Sequence, residues 1–181
     1  FRTGGAMLTA LIVSFVCGPY IIRLLKSYQT EGQPIREDGP EGHILTKAGT
    51  PTMGGFMILL ALVLATLLWA DLRNGYIWAA LVVTVAFGLI GFFDDYAKVS
   101  LNNSKGIPGK LKLLLQMVFA LAATIWIMSL TSSPLATSLA LPFFKSVLID
   151  LGWFFVVFGI LVIVGASNAV NLTDGLDGLA I

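Results

Sequence analysis

Two adjacent carboxylates, Asp94 and Asp95, stand where a long apolar stretch meets polar sequence. Neighbouring like charges repel, and acidic groups are disfavoured at a helix C-terminus, where the dipole favours cations. A bound cation removes both penalties, and Mg²⁺ takes one or two carboxylates and completes its shell with water and substrate phosphates. The pair therefore predicts a metal or catalytic site, against the plainer interpretation that charged residues merely end a membrane span.

A second polar cluster, NAVNLTDGLDG at residues 168–178, follows the last apolar stretch. Its asparagines and aspartates recur every three positions, so neighbours share a helix face, and its glycines predict that the helix breaks within it. Such side chains are costly at a bilayer boundary unless they are used. The amides suit phosphate or sugar and the acids suit a metal, a ribose or a base edge. The residue types alone do not choose between these ligands.

Residues 47–55, KAGTPTMGG, form a third candidate. Lys47 and Thr52, with glycines that let backbone N–H groups approach a ligand, indicate a phosphate or diphosphate cradle. The plainer alternative is a loop that leads into a membrane span. Among the later lysines, Lys110 stands just before an apolar stretch and is best placed to reach a phosphate. His43, a lone loop histidine, is not expected to be catalytic.

The remaining sequence is that of a membrane protein, because it is 57% hydrophobic and 12% charged, with a mean hydropathy of +0.90. About 20 apolar residues cross a hydrocarbon core of roughly 30 Å. We predict an all-α polytopic transmembrane helix bundle, a single integral membrane domain over residues 1–181. Its five spans are predicted at about 6–25, 54–70, 76–93, 113–130 and 151–169. Stretches 138–141 and 147–150 predict a small β-hairpin before the last span.

The basic residues predict the orientation. Of the 11 lysines and arginines, eight fall on one side of this threading, so the positive-inside rule makes that side cytoplasmic and puts the N-terminus outside. The four tryptophans fall near the outer ends of the spans, as in an interfacial belt. All three polar clusters then reach the cytoplasmic face.

The segments KAGTPTMGG, DDYAK and NAVNLTDGLDG, in this order between spans, closely resemble the phospho-N-acetylmuramoyl-pentapeptide transferases. These enzymes are one branch of the polyprenyl-phosphate N-acetylhexosamine-1-phosphate transferase superfamily. The acidic and Asn/Asp segments resemble the whole superfamily, whereas KAGTPTMGG is similar to the muramoyl branch in particular. The resemblance extends over essentially all 181 residues. It implies a bundle of about ten spans, of which this chain resembles the N-terminal half.

The resemblance implies transfer of phospho-MurNAc-pentapeptide from UDP-MurNAc-pentapeptide to undecaprenyl phosphate in the bacterial inner membrane. The products are lipid I, for peptidoglycan synthesis, and UMP, and the cofactor is Mg²⁺. Asp94 and Asp95 match the catalytic pair, one of which deprotonates the lipid phosphate or supports the metal. Positions that match residues for activity or for nucleotide and diphosphate binding are Lys47, Thr52, Lys98, Lys110, Asn168, Asn171, Asp174 and Asp177. Membrane lipid is an expected partner, nucleic acid is not, and the resemblance allows a homodimer.

The further metal-binding acid and the histidine-rich loop of these enzymes belong to the second half of their chain. We therefore predict that these 181 residues alone are catalytically inactive. The nearest alternative is a sibling transferase that uses UDP-GlcNAc, against which the KAGTPTMGG segment argues. A more distant alternative is an ion-coupled transporter, which needs functional polar groups near the bilayer midplane, where this sequence is apolar.

Overall fold

The computed structural model describes residues 1–29, 53–101, 106–131, 133–141 and 144–173. Within these ranges lie the helices α1 (Arg2–Tyr28), α2 (Gly55–Trp69), α3 (Gly75–Ser100), α4 (Gly109–Ser129) and α5 (Phe154–Thr173). A 3₁₀ turn (Pro134–Thr137) and the strands β1 (Ser138–Leu141) and β2 (Phe144–Asp150) lie between α4 and α5. The bundle confirms the predicted all-α class, and the two strands confirm the predicted hairpin.

The helices differ in their capacity to cross a bilayer. Over the described ranges, α1, α3, α4 and α5 are long and apolar enough to span, with hydropathies between 2.0 and 2.2 in their most apolar windows. Helix α2 has 15 residues, and at about 1.5 Å per residue it extends over roughly 22 Å, less than a hydrocarbon core of about 30 Å. It is therefore the short member among the five predicted spans.

Helices α3 and α4 both extend beyond the apolar stretches predicted for them. The third span is predicted to end at residue 93, yet α3 continues to Ser100. The charged residues end the apolar stretch without ending the helix, because Asp94 and Lys98 lie one turn apart and pair. Helix α4 begins at Gly109 after Pro108, ahead of the predicted start at 113. The charged residues of both segments are thus carried on rigid helices.

Small residues lie at the contacts between consecutive helices. Ala79 of α3 and Ala120 and Ala123 of α4 are at most 4% exposed. Large apolar side chains point outward instead, including Phe15 at 74% and Val118 at 52% exposed. In lipid, helices associate by close packing rather than by excluding water, so small residues face inward and large apolar residues face the lipid.

Glycines let two of these contacts become especially close. A Cβ atom added at Gly88 of α3 would stand 2.7 Å from the Leu59 side chain of α2, and one at Gly159 of α5 would stand 2.7 Å from Thr124 of α4. Leu59 can turn away, whereas a β-branched Thr in a helix has few rotamers. The α4–α5 contact therefore depends on a residue without a side chain at Gly159.

The hairpin closes the connection between α4 and α5. Its strands are antiparallel, with Ser138 opposite Asp150, and the register shifts between Ala140 and Leu141. The Asp150 carboxylate accepts hydrogen bonds from the Thr137 hydroxyl at 2.6 Å and from the Gly152 N–H at 2.9 Å. These two bonds lower the pKa of Asp150 below its ordinary value. They join both ends of the hairpin ahead of α5.

Substitution of the glycine at the α4–α5 contact tests this packing. We expect Gly159→Ala to lower the thermal unfolding midpoint of the protein in detergent, because its Cβ would meet the stiff Thr124 side chain. Gly165→Ala is the matched control on the same helix, since its Cβ meets no atom within 4 Å. Gly to Ala in a helix ordinarily stabilises by about 0.5–1 kcal/mol, so the control should not lose stability. Equal midpoints for the two variants contradict the packing described.

Candidate active site

The predicted acidic pair lies in the last two turns of α3. The Lys98 Nζ atom is 2.8 Å from Asp94 Oδ2 and 3.1 Å from Asp95 Oδ1. Residues three and four apart on a helix face each other, which is why one lysine reaches both acids. Lys98 also complements the negative end of the helix dipole. Both carboxylates thus converge on a single positive charge.

Asp94 also holds the residues that lead into α4. Its Oδ1 atom accepts a 2.9 Å hydrogen bond from the Ile107 N–H, and the residue is 8% exposed. Gly106 has φ +61°, and a Cβ atom there would stand 2.5 Å from Asp94 Oδ1. Position 106 therefore requires a left-handed backbone and space for the Asp94 carboxylate. Glycine adopts that backbone freely and has no side chain to fill the space.

Helix α4 contributes two polar side chains that face different neighbours. Lys112 Nζ lies 3.8 Å from Asp94 Oδ2 of α3. One turn later, Gln116 is 4% exposed and its Oε1 atom accepts a 2.8 Å hydrogen bond from Asn168 Nδ2 of α5. Residues four apart share one helix face. Lys112 and Gln116 therefore link the acidic pair to the start of the Asn/Asp cluster.

The charged side chains of Asp94, Lys98 and Lys112 lie beyond Phe93, where the apolar part of α3 ends. There they stabilise one another. Burial raises the pKa of Asp94, but hydrogen bonds from Lys98 and Ile107 lower it. The positive charges of Lys98 and Lys112 lower it further, so the pKa of Asp94 lies below its ordinary value. Burial lowers the pKa of Lys98, but its bonds to both acids outweigh burial and raise it. Asp94 and Lys98 therefore remain charged near neutral pH.

Asp94 and Asp95 are suited by type and position to hold a divalent cation. They converge on the Lys98 ammonium group, so the space between them already accepts a positive charge. Mg²⁺ takes one or two protein carboxylates and fills its other positions with water and substrate oxygen atoms. In the part of the chain that the structure describes, no group of three His, Cys, Asp or Glu side chains gathers at one point. Further ligands would come from water, from substrate and from the acid that the resemblance assigns to the second half of these enzymes.

The structure unites part of the predicted site. Asp94, Asp95 and Lys98 lie together, and Asn168 is joined to them through α4. Lys110 is exposed and lies about 200° around the helix from Lys112, which pairs with Asp94 instead. Asn171 is exposed near the end of α5. The predicted residues Lys47, Thr52, Asp174 and Asp177, and His43, lie outside the described ranges.

Sequence reasoning alone misses the roles of Lys112 and Gln116. It counts Lys112 among the charges that set orientation, because a basic residue at the end of a span usually serves that purpose. Gln116 lies inside an apolar stretch, where a polar side chain needs a partner and marks a candidate site. The isolated amide of Gln116 was thus the feature of the sequence that could have indicated its role.

Comparison with known proteins places the chain in a family. The model for glycosyl transferase family 4 matches residues 77–181. The chain belongs to this family. The match contains α4, α5 and all but the first two residues of α3, and hence the acidic pair, Lys112, Gln116 and Asn168.

Two further findings concern a particular branch of the family. The phospho-N-acetylmuramoyl-pentapeptide-transferase signature 1 matches residues 47–59. A protein of Granulibacter bethesdensis named phospho-N-acetylmuramoyl-pentapeptide-transferase is 65% identical over 181 residues, covering 100% of this chain and 50% of the relative. The chain thus spans about half the length of this curated relative. The predicted resemblance to the muramoyl branch is confirmed.

The contact between Gly106 and Asp94 yields a stability prediction. Gly106→Ala should destabilise the protein by about 1–3 kcal/mol, because it forces a left-handed alanine and crowds the carboxylate. Gly109→Ala is the matched control, since its Cβ meets no atom within 4 Å at the start of α4. Thermal unfolding in detergent compares the two variants. A loss for Gly106→Ala no larger than that of the control contradicts the role assigned to the glycine.

Proposed function

We propose that this chain is part of an enzyme that transfers phospho-MurNAc-pentapeptide from UDP-MurNAc-pentapeptide to undecaprenyl phosphate, releasing UMP and forming lipid I. The observation that carries the proposal is 65% identity over the whole chain to a protein named phospho-N-acetylmuramoyl-pentapeptide-transferase. The match of residues 47–59 to the signature of that enzyme supports the muramoyl donor over UDP-GlcNAc.

The charges at the ends of α3 and α4 suit this chemistry. Transfer between an anionic lipid phosphate and a diphosphate depends on positioning and on neutralising charge, with little covalent help from the protein. Lys98 and Lys112 both lie within 4 Å of Asp94 and can bind phosphate oxygen atoms. Asp94 or Asp95 takes the proton of the lipid phosphate or supports the metal.

Mg²⁺ is the proposed cofactor, held by Asp94 and Asp95. The donor set fits because both carboxylates face the same cation, the Lys98 ammonium group, at 2.8 and 3.1 Å. Mg²⁺ is usually bound through carboxylates together with water and substrate oxygen atoms. When bound, the ion supplies charge neutralisation at the diphosphate. The residues of this chain orient the two substrates around it.

We place the site at the cytoplasmic face of the bacterial inner membrane, with the N-terminus outside. Arg23 and Lys26 end α1, Lys98 ends α3, and Lys110 and Lys112 begin α4. In the proposed threading these helix ends share one side of the bilayer, and the positive-inside rule makes it cytoplasmic. The polyprenyl chain of the acceptor stays in lipid while its phosphate reaches the charged cluster. A homodimer stays a prediction from the resemblance.

UMP release by membranes that carry the full-length protein tests this function. We expect release from UDP-MurNAc-pentapeptide with undecaprenyl phosphate, dependent on Mg²⁺ and abolished by EDTA. UDP-GlcNAc offered alone should release none. Release only from UDP-GlcNAc would move the protein to the sibling branch, and release from neither donor would favour the transporter alternative.

In the same assay, Asp94→Asn should lower the rate at least about 100-fold. The amide oxygen can still accept the Ile107 hydrogen bond, so the loss reports the missing negative charge rather than a displaced loop. Asp71→Asn is the matched control, because Asp71 is an exposed acid in the α2–α3 turn. Its rate should stay within about twofold of wild type. An active Asp94→Asn protein contradicts the catalytic assignment.

The 181 residues expressed alone should release no UMP. The reason is that the resemblance assigns a further metal-binding acid to the second half of these enzymes. The fragment and the full-length protein would be assayed side by side in membranes, at matched amounts and with both substrates. Mg²⁺-dependent turnover by the fragment would overturn this prediction.

A further inference from the structure

The buried Gln116 of α4 and the half-buried Asn168 of α5 form an amide pair. The Asn168 Nδ2 atom donates to Gln116 Oε1 at 2.8 Å and to the Val164 carbonyl oxygen at 2.9 Å. An amide nitrogen carries two hydrogens, so both are used. Within the described ranges, the Asn168 Oδ1 atom receives no hydrogen bond. It is the polar atom that Asn168 has left for a ligand.

The Val164 carbonyl determines which way both amides face. A carbonyl oxygen only accepts hydrogen bonds, so the Asn168 atom 2.9 Å away must be the nitrogen. The same nitrogen faces Gln116, which must then present its oxygen. Turning either amide around would bring two acceptors or two donors into contact. The orientation is therefore set by the backbone of α5 and transmitted to α4.

Burial makes this arrangement stiff. Gln116 is 4% exposed and stands one turn after Lys112, which pairs with Asp94. A buried polar group without a partner costs the full desolvation penalty, so Gln116 is held to the pairing that satisfies its oxygen. Asn168 is thereby kept at a fixed position relative to Lys112, which faces Asp94 of α3.

We propose that Gln116 is a positioning residue that holds Asn168 as a hydrogen-bond acceptor for an electropositive group. This inference rests on the proposed function, because the resemblance matches Asn168 to a position for activity or for nucleotide and diphosphate binding. A ribose hydroxyl, a uracil N–H and a divalent cation all match a free amide oxygen. A phosphate oxygen does not, because it is itself an acceptor. Asn168 thus binds the nucleoside or the metal, whereas the lysines bind the phosphates.

Variants of Gln116 in the full-length protein test the positioning role. Gln116→Met keeps the approximate shape but removes the acceptor, and it should lower kcat/KM for the UDP-sugar about tenfold, with the thermal midpoint near that of wild type. Gln116→Glu keeps an acceptor oxygen, and Lys112 lies one turn away to offset its charge. Its kcat/KM for the UDP-sugar should therefore stay within about twofold of the wild-type value. Ser129→Ala is the control on the same helix, since it removes an exposed hydroxyl that bonds only to the Trp126 carbonyl of α4 itself in the described structure. It should leave kcat/KM unchanged.

Variants of Asn168 test the acceptor role even if Gln116→Met does not fold. Asn168→Asp retains an acceptor oxygen for the ligand; its second oxygen loses the bond to the Val164 carbonyl, although the Gln116 amide can turn to donate to it. Asn168→Leu retains no acceptor. Asp should therefore keep at least about tenfold more kcat/KM than Leu. A phosphate-binding role predicts the reverse, because a second negative charge repels phosphate. The proposal would be overturned if Gln116→Met and Gln116→Glu lost kcat/KM equally. A higher kcat/KM for Asn168→Leu than for Asn168→Asp would also overturn it.

UMP binding by calorimetry, without the lipid acceptor, identifies the electropositive group. Weaker binding by Asn168→Leu both with Mg²⁺ and with EDTA assigns the nucleoside, and weaker binding with Mg²⁺ alone assigns the metal. Unchanged binding under both conditions overturns the proposal. UMP is common to all UDP-sugar donors, so this result stands apart from the sugar preference that tests the proposed function.

Discussion

Asp94 places a carboxylate, in a residue that is 8% exposed, at the end of an apolar helix. A buried charge costs several kcal/mol unless partners surround it. Here Lys98 comes from the same helix, the Ile107 N–H from the following connection and Lys112 from the next helix. The need to satisfy this one charge accordingly joins α3 to α4 and explains the glycine at position 106.

Helix α4 then determines how the two polar motifs relate. Its face carries Lys112 toward α3 and Gln116 toward α5. The acidic pair and the Asn/Asp cluster are more than 70 residues apart in sequence. The spacing between them in the fold does not require that they contact each other directly. The step of four residues from Lys112 to Gln116 on α4, about 6 Å of rise, sets that spacing instead.

Close packing of the bundle supports this spacing. Lipid offers no water to exclude, so the helices associate through small residues and satisfied polar groups. Ala120 is fully buried, and Gly159 lets α5 approach Thr124 closely. These contacts lie on the same two helices as the Gln116–Asn168 pair. A shift of α5 against α4 would therefore also change the position of Asn168.

The sequence by itself determined the membrane class, the helical bundle, the hairpin and the resemblance to the muramoyl branch, because apolar length and motif wording are local properties. It also identified Asp94, Asp95, Lys98 and Asn168 as candidates by residue type. Only the tertiary structure decided that Lys112, rather than Lys110, pairs with Asp94, and that Gln116 orients Asn168. Those outcomes depend on which face of α4 meets each neighbour. A one-dimensional pattern does not contain the rotation of one helix against another.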